Sequence, residues 1–184
     1  SRGLGDVYKR QIIINKEDSI EALMNSKYIQ SNTSGIYSQI AQKLKIGHHV
    51  VFSGTPCQIA GLYGYLGKKR YENLFTIEII CHGIPGEQAL QMHLQFYKSS
   101  KILSFRDKLE GQYKSQRTTI EINGKAIRIK RSNDIFYKIF TSWLLDRKSC
   151  SNCQYSTIER VADITIGDFW GGDYPQIEYE LSLI

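Results

Sequence analysis

The chain lacks the features that define several large classes of protein. It has no apolar run long enough to cross a bilayer, and its amino terminus has no apolar signal-peptide segment. It has no internal repeat, no low-complexity linker, and neither the Walker A loop nor the GxGxxG motif that cradles nucleotide phosphates. Cysteine is also scarce, with 4 in 184 residues. These absences predict a cytoplasmic protein whose cysteines bind metal or carry redox chemistry rather than form a disulfide framework.

The composition that remains is that of a globular domain. Apolar residues make up 41% of the chain, with 12 Tyr, 7 Phe and 2 Trp, which argues against disorder. The net charge of +6 suits an anionic ligand or an acidic partner protein. Only residues 125–131 alternate basic and apolar side chains, a pattern typical of the solvated face of a strand. Nucleic acid is therefore not expected as a partner.

Two of the four cysteines follow apolar runs that have the composition of buried strands. The run at 50–53 leads through a short loop to Cys57, and the run at 75–80 leads directly to Cys81 and His82. Neighbouring parallel strands joined by a crossover helix bring their carboxyl ends to the same edge of the sheet. The sequence therefore predicts that both thiols lie at that edge, where ligands bind in parallel α/β proteins.

The other two cysteines, Cys150 and Cys153, form a CxxC pair. Arg147, Lys148 and Arg160 flank the pair, and nearby cations favour the thiolate form of cysteine. Thiolates bind zinc and iron–sulfur clusters equally well by donor type. Structural zinc more often uses two CxxC pairs, whereas single cysteines on rigid strand ends suit a cluster held inside a fold. All four cysteines are thus predicted to form one site, with a cluster favoured over zinc.

The order of sequence patterns predicts an α/β fold, with a mostly parallel sheet, flanking helices, a β-hairpin and a cysteine-rich loop. Four elements give the βαβα order of such a sheet, namely strand 49–53, helix 57–66, strand 74–80 and helix 87–98. Two alternating segments meet at Asn123-Gly124, which predicts a type I′ hairpin. Further elements are predicted at strand 12–14, a helix from Asp18 or Ser19, a helix from Ser34 to Gly47, helix 134–145 and strand 162–167.

Several polar residues are candidates for cofactor binding. The loop Ser53, Gly54, Thr55 and Pro56 could hold phosphate or flavin, because small residues allow close approach and the next helix presents free N–H groups. A simple tight turn between strand and helix is an equal alternative. His82 could donate a hydrogen bond to a cofactor, replace a ligand, or be structural.

Other ionisable residues are open to two interpretations or are assigned to the surface. Asp168 precedes an aromatic and glycine segment that suits a planar cofactor, but Asp168 could instead form a turn. The charged cluster at 105–108 is predicted in a loop or at a strand end. His48, His49 and His93 are predicted at the surface.

The two ends of the chain suggest a fragment. Residues 1–11 lack an initiator Met and are interpreted as an artefactual or non-native leader. Residues 181–184 resemble a strand that is cut short. The functional domain is therefore expected at 12–184, truncated at both ends.

Five motifs together resemble the beta-subunit family of coenzyme F-420 hydrogenases and dehydrogenases. In this chain they read SKYIQS, SGTPCQIAGL, ICHGIP, FRDK and SCSNCQYSTIERVADITIGDFWG. The resemblance covers roughly residues 12–184. The family includes bacterial relatives often tied to polysaccharide biosynthesis. It implies a flavoprotein with iron–sulfur clusters that passes electrons between a ferredoxin-like donor and a flavin, deazaflavin or other small-molecule acceptor.

The resemblance also assigns roles to particular residues. The four cysteines match the family's motif cysteines, as ligands of one 4Fe-4S cluster. The Ser53–Cys57 loop and the segment Ser26, Lys27 and Tyr28 match segments expected near FAD, with Lys27 or Arg106 close to its phosphates. The donor is expected to be a ferredoxin-like protein or a fused ferredoxin module. The alternative, from another functional class, is a non-catalytic interaction module in which zinc only stabilises the fold.

Overall fold

The computed structural model describes residues 13–14, 26–99, 101–107, 117–144, 146–168 and 182–183. The chain forms two compact units. We call Ser1–Asn32 with Gly83–Asn152 the hairpin unit, and Thr33–His82 with Cys153–Ile184 the parallel-sheet unit. The division places Cys150 in the first unit and the other three cysteines in the second.

The described residues contain seven strands and five α-helices. The strands are β1 Val50–Gly54, β2 Leu74–Ile79, β3 Lys101–Asp107, β4 Arg117–Ile122, β5 Lys125–Lys130, β6 Ile164–Asp168 and β7 Ser182–Leu183. The helices are α1 Ile36–Lys45, α2 Pro56–Tyr65, α3 Glu87–Phe96, α4 Ile135–Ser142 and α5 Lys148–Ser151. A 3-10 turn at Arg131–Asn133 joins β5 to α4. None of the helices in this described part is long and apolar enough to cross a membrane.

The parallel-sheet unit contains a four-stranded sheet in the order β1-β2-β6-β7. Strands β1, β2 and β6 are parallel, and β7 runs antiparallel to β6. The predicted βαβ unit is therefore confirmed, with α2 as the crossover helix. Helix α1 buries Ile36, Ile40 and Leu44, which recur every four residues and so form one apolar face. The mixed α/β class is also confirmed.

The buried face of this sheet carries polar as well as apolar side chains, with Phe52 of β1 paired to Thr76 of β2. The side chains of Thr76 and Glu78 on β2 are fully buried. The residues that alternate with them along β2 face the other way, and Phe75 and its partner on β1, Val51, are 42% and 67% exposed. The sequence predicted these apolar runs to be buried. They are incompletely buried, because successive side chains along each strand point to opposite faces and only one face is buried in the described residues.

The hairpin unit contains the antiparallel sheet β3-β4-β5 and two main helices, α3 and α4. Asn123 and Gly124 both have positive φ, at 51° and 74°, which confirms the predicted hairpin turn. Strand β3 pairs with β4 and extends the hairpin to three strands. Its last residues belong to the charged cluster at 105–108, which was predicted in a loop or at a strand end. The core of this unit consists of Ala89, Leu90, Leu94 and Phe136, with Tyr28, Ile29, Ile102 and Phe105 packed against it.

Three predicted elements differ from the structure or lie outside its described residues, namely the strand at 12–14, the helix from Asp18 or Ser19 and the helix at 134–145. Ile13 and Ile14 have no strand structure, so the predicted strand at 12–14 is wrong for these residues. The predicted helix from Asp18 or Ser19 lies outside the described residues. Helix α4 begins as predicted, because Asp134 accepts hydrogen bonds from the N–H groups of Phe136 and Tyr137. It ends early, since Trp143 takes a left-handed conformation at φ 59° and is exposed.

His93 is the clearest error in the sequence-based predictions of exposure. It was predicted at the surface, but on α3 it is buried with its Nδ1 3.4 Å from Oδ1 of buried Asp134. Its ring also contacts Tyr97 and Phe136, with centroids at 5.0 and 5.5 Å. Burial lowers the pKa of His93 below its usual 6.5, while Asp134 acts in the opposite direction. The histidine is therefore held neutral near pH 7.

The lowered pKa predicts that the hairpin unit loses stability in mild acid. Below about pH 6.5 the unfolded chain binds a proton at His93 that the folded chain does not, so unfolding becomes more favourable. Each pH unit in that window should remove at most about 1.4 kcal/mol. Urea unfolding at about pH 7.5 and about pH 5.5 measures the loss. His93→Gln should reduce this pH dependence, whereas His49→Gln, at an exposed position, should keep it; equal slopes in the two variants would contradict the assignment.

Candidate functional site

Cys57 lies in the first turn of α2, immediately after β1. Thr55 is the N-cap of this helix and Pro56 occupies its first position, where the missing N–H of proline costs no hydrogen bond. The Thr55 N–H donates to Oε1 of Gln58 at 3.1 Å, which fixes the loop against the helix. The Thr55 hydroxyl lies 3.1 Å from Sγ of Cys57, and Cys57 is exposed. The predicted loop thus presents an accessible thiol at a helix N-terminus.

Cys81 follows the neighbouring strand. Strands β1 and β2 pair in parallel from Val50↔Leu74 to Gly54↔Glu78. Strand β2 ends at Ile79, and the next N–H, that of Ile80, donates to the carbonyl of Ile166 on β6 at 2.8 Å. The prediction that Cys57 and Cys81 follow adjacent parallel strands is therefore confirmed.

Glu78, one residue before the end of β2, accepts three hydrogen bonds. Its carboxylate accepts from Nε of Arg160, from Oγ1 of Thr165 at 3.0 Å and from the N–H of Val161 at 3.4 Å. The carboxylate is fully buried, so these donors replace water. Sequence analysis placed Arg160 among the cations that flank the CxxC pair; in the structure its guanidinium binds the Glu78 carboxylate.

A second pair fixes the same segment to β2. Oδ2 of Asp163 accepts from the N–H and the hydroxyl of Thr76, both at 2.7 Å. The N–H of Asp163 is in turn 3.1 Å from the Thr76 hydroxyl oxygen. Tyr63 of α2 also bonds this hydroxyl, at 2.9 Å. The segment that follows Cys153 is therefore bound to the buried face of the sheet at two successive inward-facing positions.

Cys153 and Cys150 belong to different units. Cys153 is exposed, and Cys150 is partly buried in α5, where its N–H donates to the Arg147 carbonyl at 2.7 Å. In the hairpin unit Arg147 is held in turn by Ile84, whose carbonyl accepts from its N–H at 3.0 Å. Ile84 comes three residues after Cys81 in the sequence.

The donor chemistry fits a thiolate-bound cofactor. All four cysteines are free thiols, and each is at least partly accessible. Within the described residues of either unit, no three His, Cys, Asp or Glu side chains form a metal-binding group. Because the four cysteines are divided between two units, their convergence into one ligand set stays a prediction.

The residues predicted near flavin in the hairpin unit lie around Tyr137. The Tyr28 ring packs on Phe140 with centroids 4.6 Å apart and contacts Tyr137 edge-on at 6.0 Å. Burial raises the pKa of Tyr137 to about 12, with Tyr28 adding to the rise and Arg131 and Arg106 opposing it. Tyr28 therefore contacts the Tyr137 ring, and buried Arg106 is near enough to oppose the rise in the pKa of this phenol.

Sequence reasoning missed two members of this cluster. Tyr137 lies on the buried face of an amphipathic helix and was interpreted simply as helix, although a phenol at a core position is a recognisable signal. Arg131 lies over its ring, 4.0 Å from the centroid, which is the geometry of a cation–π contact. Burial also lowers the pKa of Lys27, which directly precedes Tyr28.

The remaining candidate residues for cofactor binding lie in several different elements. Ser26 lies in irregular structure, and Ser53 and Gly54 complete β1 ahead of the Thr55 turn. His82 follows Cys81 and is exposed. Asp168 ends β6, exposed, beside Ser182 of β7. The aromatic segment predicted to cover a planar cofactor lies outside the described residues.

Comparison with known proteins agrees with the resemblance found in the motifs. No curated protein matches the chain. The family described as the C terminus of the coenzyme F420 hydrogenase/dehydrogenase beta subunit matches residues 47–180, which include all four cysteines and the Glu78–Arg160 pair. This match covers most of the sequence and points to a subunit of oxidoreductase type. The chain therefore belongs to the family of C-terminal regions of coenzyme F420 hydrogenase/dehydrogenase beta subunits.

Proposed function

We propose that the chain is an electron-transfer subunit that binds a 4Fe-4S cluster and FAD. The observation that supports this most is the position of Cys57 and Cys81 directly after two adjacent parallel strands. The segment following Cys153 is bonded to the second of these strands through Glu78. Three cysteines of one unit thus lie in segments that are joined to one sheet. In the proposal Cys150 supplies the fourth thiolate.

The residues of the chain bind and position, while the cofactors supply the redox chemistry. A bound cluster would transfer electrons one at a time, and a bound flavin could transfer them in pairs. The thiolates would hold the cluster, and the Thr55 hydroxyl beside Cys57 is placed to donate to its sulfur and so favour the thiolate. In this proposal the donor is a ferredoxin-like protein or module and the acceptor is a small molecule.

Reconstitution with iron and sulfide tests the cluster. The wild-type chain, treated anaerobically and then given FAD, should show the broad visible absorption of a cluster together with flavin bands. Cys150→Ser should abolish the cluster absorption, because a missing thiolate cannot be replaced by the hydroxyl. Ser151→Ala, within the same CxxC pair, should not. Reduced ferredoxin should then bleach the flavin bands of the wild type.

The same spectra distinguish the rival function. A colourless protein with stoichiometric zinc after reconstitution would replace the proposal with a zinc-stabilised interaction module. A cluster that survives Cys150→Ser would remove that cysteine from the ligand set.

The FAD site is proposed to use Lys27 or Arg106, both in the hairpin unit, for the phosphates. Charge-assisted hydrogen bonds contribute about 1.5–3 kcal/mol each. Lys27→Ala should therefore weaken FAD binding by about tenfold or more. Quenching of flavin fluorescence measures the affinity, with Lys138→Ala, an exposed lysine on α4, as the control. Unchanged affinity for both Lys27→Ala and Arg106→Ala would exclude this placement of the phosphates.

A further inference from the structure

The segment around Arg160 is fixed to β2 by an ion pair and several hydrogen bonds. Arg160 binds Glu78 through Nε and donates from Nη1 to the carbonyl of Thr157 at 3.2 Å. The Thr157 hydroxyl donates to the carbonyl of Glu159 at 3.0 Å, which closes a tight turn. One guanidinium therefore connects a buried carboxylate on the sheet to a backbone carbonyl only four residues after Cys153.

Glu78 lies close in the sequence to the strand end that leads to Cys81. Glu78 is paired with Gly54, the last residue of β1, and lies one residue before the end of β2. Both strands lead within three residues to a cysteine, Cys57 from Gly54 and Cys81 from Glu78. The carboxylate thus belongs to the strand that leads to Cys81, one residue before its end, and its partners lie on β6 and on the segment that precedes it.

A pair of charges is a specific means of holding a loop in one register. A buried carboxylate is strongly unfavourable unless donors surround it, so displacement of the segment by even one residue would leave Glu78 without Arg160. An apolar contact at the same place would tolerate such a shift. Thr165 and Val161 complete the donor set from the same stretch of chain, and therefore enforce the same register.

We propose that the Glu78–Arg160 pair positions Cys153 as a ligand, by fixing the turn after Cys153 against the end of β2. The inference rests on the proposed function in one respect, which is that the thiols bind a metal centre. Arg160 acts on the metal only through Cys153, so both members of the pair are positioning residues. They are 82 residues apart in the sequence, and the pair joins the two portions of the chain that make up the parallel-sheet unit.

Cobalt(II) provides the test, because its bonds to thiolates produce a charge-transfer band in the ultraviolet and visible spectrum. The metal-free full chain is titrated anaerobically with cobalt(II), which requires neither iron–sulfur assembly nor FAD. Two variants are compared with the wild type. Arg160→Lys keeps the positive charge but loses the fork that reaches both Glu78 and Thr157. The double variant Glu78→Gln/Arg160→Gln removes both charges and leaves no buried carboxylate unpaired.

Both variants should bind cobalt at least about tenfold more weakly than the wild type, as expected when the support of a ligand is lost. Amide hydrogen exchange should accelerate in residues 154–163 while β1 stays protected. Arg128→Lys is the matched control, because Arg128 also binds a carboxylate, that of Asp107, but in the hairpin unit. It should leave the cobalt affinity unchanged.

The outcomes separate two kinds of failure. Wild-type cobalt affinity in the folded double variant would overturn the positioning role of the pair. Absence of a thiolate band in the wild type would instead overturn the proposed metal centre, whatever the variants do. Circular dichroism confirms that each variant is folded before its titration is interpreted.

Discussion

Arg160→Ala should lower the free energy of unfolding of the parallel-sheet unit by about 3 kcal/mol. The substitution leaves Glu78 fully buried with only a hydroxyl and one backbone N–H as donors. Removal of one member of a buried ion pair typically costs about 3–5 kcal/mol, since the remaining charge has lost both its partner and water. We expect the lower end because the Arg160 side chain is 29% exposed, so some of the attraction is already screened by solvent.

Denaturant unfolding followed by amide exchange measures this loss in the unit concerned. Arg128→Ala breaks the ion pair with Asp107 at a side chain that is 50% exposed, and should cost at most about 1 kcal/mol. Adding Glu78→Gln to Arg160→Ala should restore much of the stability, because a neutral amide tolerates burial better than a carboxylate. Equal losses for Arg160→Ala and Arg128→Ala would show that Glu78 does not depend on its cation.

The Glu78–Arg160 pair also illustrates what the sequence could not predict. The parallel pairing of β1 and β2 was predictable, because a short crossover helix between two apolar runs allows few other arrangements. The partner of Glu78 was not, since the portion Gly83–Asn152 of the hairpin unit separates Arg160 from it in the sequence. Arg160 stands near a CxxC pair, and local charge reasoning assigned it there. Only the pairing of β2 with β6 brings it to the carboxylate.

The burial of His93 was difficult to predict for a related reason. His93 lies between Met92, which is exposed, and Leu94, which is buried, so the pattern around it fits a helix boundary between core and solvent. Its burial depends on Asp134, the N-cap of a helix that follows about forty residues later. The cap itself was predictable from the sequence, since Asp precedes an apolar helical run. The second role of the same carboxylate, as the neighbour of His93, was not.

The candidate site likewise contains residues that local sequence patterns identify and residues that only tertiary contacts identify. The four cysteines could be found from the sequence, because strand ends and a CxxC pair are local patterns. The cluster of Tyr28, Arg106 and Tyr137 was found only in part. Tyr28 and Arg106 entered through motifs, whereas Tyr137 joins them through contacts between an irregular segment, a strand and a helix.

Phe136→Ala should destabilise the hairpin unit by about 3–5 kcal/mol, the usual cost of removing a buried aromatic side chain. Phe136 is 1% exposed and lies at the centre of the apolar core formed with Ala89, Leu90 and Leu94. Its ring also contacts Phe105 at 5.7 Å and His93 at 5.5 Å. Alanine would leave a cavity between α3, α4 and β3 that these rigid aromatic neighbours cannot fill.

The adjacent Ile135→Ala is the control, since Ile135 is 41% exposed on the same helix and should cost about 1 kcal/mol or less. Urea unfolding of both variants measures the difference, and a loss as small for Phe136→Ala as for Ile135→Ala would show that the core closes around the cavity. Phe105, which the Phe136 ring supports, directly precedes Arg106 and also packs against Tyr28 at 5.8 Å. Under conditions in which Phe136→Ala is still folded, we therefore expect weaker FAD binding than in Ile135→Ala, because the residues proposed to hold the phosphates lose their rigid support.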